Sequence, residues 1–257
     1  MFKRLTVLCL LAAALCAVPL AAAPIGYVAA IWGRGSVSIL DTGMNPVSSF
    51  AVGNSNPNGI ATDGSTIWVG AFSPSKVMAY DFAGNFLYEW AGSFSGLQGM
   101  ELVNGELAIQ NNTNIEFYNP LTGAYIRSIP GPGSSTEGLT YDGKYLYGIV
   151  AAGASGITLM DPSNGAVMGT IANAAGGCTY QGTGIASIGG GQLTLACENG
   201  NWFTVLSSDG SVVTSGNNGL QMYGLKAYSA AVPEPASMLS LGAGLLLLGY
   251  RLRRRSA

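Results

Sequence analysis

The 257-residue chain reads as an all-β protein. The expected fold is a β-propeller of five four-stranded blades, closed by the N- and C-terminal strands, with a C-terminal transmembrane helix after it. Three observations carry that expectation. A glycine followed by an apolar residue opens a short strand five times, at Gly59-Ile60, Gly99-Met100, Gly138-Leu139, Gly184-Ile185 and Gly224-Leu225, in steps of 40, 39, 46 and 40 residues. A hairpin of fixed chemistry recurs between the strands of each unit. The repeat is also out of phase with the chain: it begins on the second strand of a unit and ends on a first strand. The last strand can therefore complete the first blade and hide the sheet edges at the seam.

Residues 1–23 read as a signal peptide. Met1-Phe2-Lys3-Arg4 is a basic start, Leu5 to Val18 is apolar, and Pro19-Leu20-Ala21-Ala22-Ala23 supplies small residues for cleavage after Ala23 or Ala22. A lipid-modified Cys16 is disfavoured because bulky Leu15 precedes it.

Residues 24–231 form the body, long enough for one sizeable domain. Short β-branched and aromatic runs alternate with Gly, Ser, Thr and Asn, and almost no helical periodicity is present. The first unit contains Tyr27–Ile31, Ser36–Leu40 and Pro46–Phe50; the second contains Thr66–Phe72, Lys76–Asp81 and Gly84–Trp90. Equivalent triplets follow at 106–129, 145–171 and 192–214. The hairpins read Asp41-Thr42-Gly43, Asp81-Phe82-Ala83-Gly84, Asn119-Pro120-Leu121-Thr122-Gly123, Asp161-Pro162-Ser163-Asn164-Gly165 and Ser208-Asp209-Gly210. Asp, Asn and Ser open such turns through their short side chains, Pro pre-sets the next φ, and Gly is expected at positive φ. The pattern resembles the broad family of propeller repeats with Asp-x-x-Gly or Asn-Pro-x-x-Gly hairpins. A β-sandwich and a six-bladed ring are the competing architectures.

The last 26 residues differ in character. Val232-Pro233-Glu234-Pro235 is a rigid polar break, since both prolines lack an N–H and enforce extended backbone. An apolar run follows, then the basic stop Arg251, Arg253, Arg254 and Arg255. A helix over 236–252 would be roughly 25 Å long, at the short end for a hydrocarbon core of about 30 Å. The arginines would remain cytoplasmic. These three parts in this order resemble the PEP-CTERM sorting signal, read by exosortases in bacteria that make exopolysaccharide. The resemblance implies transient anchoring in the inner membrane, cleavage near Pro233-Glu234-Pro235, and release or attachment at the cell exterior. The domain plan is thus 1–23, 24–231 and 232–257.

Charge and composition exclude several functions. The body holds five Lys and Arg against twelve Asp and Glu, a net charge of −7, where the whole chain has −2. No basic patch exists for nucleic acid. Histidine is absent, which removes Ser-His-Asp and Cys-His catalysis. Cys178 and Cys197 are expected to form a disulfide, with free thiols as the competing reading. Two cysteines without histidine cannot complete a zinc site. No glycine-rich loop opens a helix to hold a nucleotide, so no cofactor is expected.

A candidate for ligand binding is the carboxylate set Glu101, Glu137 and Asp142, near the expected central channel. Asp142, like Asp63, precedes a glycine and reads first as turn chemistry. Trp32 and Trp68 occupy equivalent places; both read first as core, with a carbohydrate-stacking surface as the functional alternative. The expected function is therefore non-enzymatic: an exported surface or matrix protein whose propeller binds a partner, with exopolysaccharide as the suggested one. The alternative is a propeller lactonase or glycoside hydrolase using channel carboxylates.

Overall fold

In the computed structural model, residues 26–229 are described, apart from 55, 72, 93, 95–96, 134–135, 151–155 and 173–181. The expected signal peptide, the membrane segment 236–252 and the arginine stop lie outside the described residues. Among the described residues, twenty strands form five four-stranded antiparallel sheets, the blade number expected.

Blade I holds β1 (Gly26–Ile31), β2 (Ser36–Leu40) and β3 (Pro46–Ala51), with β20 (Met222–Tyr228) as its innermost strand. Blade II is β4 (Pro57–Thr62), β5 (Thr66–Ala71), β6 (Lys76–Asp81) and β7 (Phe86–Ala91). Blade III is β8 (Leu97–Val103), β9 (Glu106–Asn111), β10 (Asn114–Tyr118) and β11 (Tyr125–Pro130). Blade IV is β12 (Thr136–Tyr141), β13 (Leu146–Val150), β14 (Gly156–Met160) and β15 (Val167–Ala172). Blade V is β16 (Gly182–Gly189), β17 (Gln192–Cys197), β18 (Asn201–Leu206) and β19 (Val212–Asn217).

The seam closes as the repeat phase requires. The first and last strands pair antiparallel, from Gly26 opposite Tyr228 to Ile31 opposite Met222. Tyr27 then ties blade I to blade V through a bond of 3.0 Å between its hydroxyl and that of Thr194. Pairing the two chain ends in one sheet makes ring opening cost a whole strand interface.

The periodic glycines have a physical cause that spacing alone did not reveal. Each stands on an innermost strand, against the innermost strand of the next blade. A Cβ on Gly99 would lie 2.9 Å from the backbone N of Leu139. On Gly184 it would lie 2.9 Å from the N of Leu225, and on Gly224 2.8 Å from the O of Asn58. Gly59 and Gly138 press likewise on Met100 and on Ile149 and Ile185. Five strands converging on one axis leave little room for side chains, so glycine is favoured at each contact and required where the neighbour is backbone closer than 3.0 Å, as at Gly99, Gly184 and Gly224. Between the blades, apolar faces fill the remaining space: Val28, Ile60, Ile67 and Met78 between I and II, and Trp68, Trp90, Met100 and Ile109 between II and III.

One hairpin departs from expectation. Gly84, Gly123, Gly165 and Gly210 take positive φ, but Gly43 does not; Met44 does, at 64°. Asp41 accepts from the backbone N of Asn45 at 2.8 Å, as Asp81 does from that of Asn85. The two turns therefore align with Met44 in the glycine place. Left-handed backbone costs a residue with a Cβ about 1–2 kcal/mol. Met44 is 1% exposed in the core between blades I and V, which offsets that strain by apolar burial.

Candidate functional site

The ring axis is closed by charge. Lys226, two residues beyond Gly224 on β20, is 4% exposed and Glu101, two beyond Gly99 on β8, is 8% exposed. Their Nζ and Oε2 lie 3.1 Å apart. Blades I and III are not neighbours, so this pair spans the axis. Lys226 also donates to the carbonyls of Leu139 in blade IV and, at 3.2 Å, Ile185 in blade V. Glu101 accepts from the backbone N of Tyr141 at 3.1 Å and of Leu102 at 2.8 Å. Burial pulls the Lys226 ammonium down from its ordinary value, while Glu101 acts the other way. A cavity among the innermost strands, lined in part by Lys226 and Glu137, holds about 10 Å³, the room of one water at most.

The sequence-derived carboxylates separate into three environments. Glu101 is engaged by Lys226. Asp142 is a turn residue: its Oδ1 accepts from the N of Lys144 and of Tyr145, and its Oδ2 from the Tyr147 hydroxyl at 2.8 Å. Asp63 does the same for Ser65 and Thr66. Glu137 stands immediately before Gly138, where β12 enters the axis. Its Oε2 is buried without a hydrogen-bond partner among the described residues. Burial first, then the charge of Glu198, push its carboxyl up to about 7. Among the described residues no three His, Cys, Asp or Glu side chains are grouped to hold a metal ion.

Glu198 belongs to a surface cavity that sequence reading missed. About 420 Å³ in volume, it is lined by Trp32, Gly33, Arg34, Glu198, Asn199, Gly219 and Gln221. These come from the turn after β1, the turn after β17, and the loop from β19 to the closing strand. Trp32 stacks on Tyr223 with ring centroids 4.7 Å apart and planes at 23°. The Tyr223 hydroxyl donates to Glu198 Oε1 at 2.7 Å, and the N of Trp32 to the carbonyl of Gln221 at 3.1 Å. Trp32 and Trp68 thus part company. Trp68 is 3% exposed, and its Nε1 donates to Tyr88 within the interblade core. The only sequence signal for the cavity was Trp32 just past its strand, followed by Gly33-Arg34-Gly35.

Cys197, at the end of β17, is disulfide-bonded. Its expected partner Cys178 lies outside the described residues.

Comparisons with known proteins divide between the body and the tail. No curated protein matches the chain. Solved structures match it as folds. A glutaminyl cyclase from Myxococcus xanthus is 17% identical, with a TM-score of 0.54 over 68% of this chain and 89% of that one. A nidogen/laminin complex matches at 16% identity and a TM-score of 0.54, over 82% and 87% of the two chains. A protein of unknown function from Bacteroides caccae matches at 13% identity and a TM-score of 0.51, over 76% and 73%. At these identities the likeness is one of fold alone. Residues 231–255 match the PEP-CTERM protein-sorting motif, which contains Val232, Pro233, Glu234 and Pro235. The chain is thus a five-bladed β-propeller bearing a PEP-CTERM sorting motif, and that motif implies export and processing by an exosortase.

Proposed function

We propose that the processed chain is a non-enzymatic binding propeller at the cell surface or in the extracellular matrix, with exopolysaccharide as its partner. The observation that carries this reading is the Lys226–Glu101 pair. It engages Glu101 in a buried ion pair across the axis, and the cavity that Lys226 helps line there has room for about 10 Å³ only. Binding is left to the outer surface, where an aromatic and polar cavity is available. Residues 236–252 would hold the protein in the inner membrane until it is cut. Retention of the full chain on purified matrix polysaccharide tests the reading. Turnover of a lactone or glycoside with no such retention would overturn it.

The hydrolase alternative has one observation in its favour. Burial, and then the charge of Glu198, push the Glu137 carboxyl up to about 7, the range in which a carboxyl serves as a general acid. Its signature would be glycoside turnover that Glu137→Gln abolishes.

A further inference from the structure

We infer that the cavity between Trp32, Arg34, Glu198, Asn199 and Gln221 is a binding site for one neutral sugar unit of a polysaccharide. The inference rests on the reading of the protein as a glycan-binding propeller, and it names the site and the class of sugar. The volume of about 420 Å³ falls within the usual range for small-molecule sites, about 300–1,000 Å³. The cavity is open. A Cβ on Gly33 or Gly219, at its rim, would meet nothing within 4 Å.

Its chemistry suits a pyranose. A sugar ring offers C–H groups on its faces and hydroxyls on its edge. An indole presents a negative π-face to the C–H side. Trp32 is held for that task. Tyr223 supports it by stacking, Glu198 fixes Tyr223 through its hydroxyl, and Gln221 holds the backbone of Trp32. A platform already held in place loses little freedom on binding. Hydroxyls both donate and accept. Around the platform, Glu198 accepts, Arg34 donates, and the Gln221 amide does both. The loop behind the site is fixed too: the N of Gly219 donates to Asn217 at 2.9 Å, and the N of Leu220 to Asn218 at 3.1 Å.

The charge selects against acidic sugars. Glu198 lines the cavity and its charge bears on Glu137, and among the described residues Arg34 is the one cation in the lining. The body as a whole is strongly acidic. With one carboxylate balancing one guanidinium in the lining, a uronate gains no surplus of positive charge there and meets an acidic body around it, whereas a neutral hexose incurs no such charge cost.

Affinity electrophoresis of the full chain in mild detergent, through gels holding hydroxyethylcellulose, dextran or alginate, tests the inference. The wild type should be retarded by at least one of the two neutral glucans and not by alginate. Trp32→Ala should lower that affinity at least tenfold, and Gln221→Ala, an exposed change that does not threaten folding, should lower it severalfold. Wild-type retardation that both variants retain in full would overturn the site while leaving the glycan reading intact. Preference for alginate would overturn the neutral-sugar assignment. Retardation by none of the three would overturn the glycan reading itself, and the site with it.

Discussion

Lys226 of the closing strand and Glu101 of blade III meet 3.1 Å apart across the axis of the ring, both almost wholly buried. One strand thus completes the first blade and plugs the channel. Removing one partner strands the other charge in the interior, which typically costs about 3–5 kcal/mol. Lys226→Met should destabilise by that amount in urea unfolding, and Glu101→Gln combined with Lys226→Met should recover a large part. If the single variant unfolds like the wild type, the pair is not holding the ring.

The axial glycines should respond unequally to alanine. Gly99 and Gly184 face backbone nitrogen at 2.9 Å, which cannot move aside without shifting a strand. Overpacking of this kind costs about 1–3 kcal/mol. Gly169, on an outermost strand, has nothing within 4 Å of an added Cβ. Gly99→Ala and Gly184→Ala should lower the unfolding midpoint clearly, and Gly169→Ala should leave it within about 0.5 kcal/mol. Equal effects at all three would refute close approach as the cause.

Glu137 predicts a falling stability on the neutral side. Its carboxyl titrates near 7 in the folded ring against an ordinary 4.5. Between those values the folded protein holds a proton that the unfolded chain has released. Stability from this group is therefore fully present below about 4.5 and declines as pH rises to 7. The hairpin carboxylates Asp41, Asp81, Asp161 and Asp209 act oppositely: their turn hydrogen bonds hold them below 3.8, so their contribution is lost on acidification. Melting temperature should peak in the mildly acidic range. Glu137→Gln should flatten the decline from pH 5 to 8; an unaltered slope would assign it to another group.

Peptide mapping without reductant should find Cys197 joined to Cys178. A loop of that length contributes about 3 kcal/mol to stability by closure entropy. Cys178→Ser should lose a comparable amount, and reductant should then have no further effect.

The closing strand ends at Tyr228 and the sorting motif begins at residue 231, so very little chain separates the ring from the Pro233-Glu234-Pro235 break. Replacing these three residues by alanine should block processing, seen as a mature mass that retains the residues through Arg255. Inserting a flexible Gly-Ser spacer after Ser229 should speed processing. Unchanged kinetics would show that the ring does not crowd the cleavage point.

The sequence by itself determined the strands, their four-stranded repeat, the phase that sets the seam, and the sorting tail; the structure decided for five blades over six. The former follow from local signals: alternating burial, hairpin side chains that bond their own turn, a repeat of near-constant length, and Pro-Glu-Pro ahead of an apolar run. Tertiary structure alone decided what those residues face. Gly59 and its four counterparts were legible as a period, but their purpose appears only where five strands converge. Glu101 and Lys226 sit at equivalent repeat positions, yet nothing local shows that their side chains meet across the axis. Met44 holds a turn written for glycine because a core from two blades covers it. Trp32, Glu198 and Tyr223 come from three distant segments, and the cavity among them exists only because the last strand closes the ring.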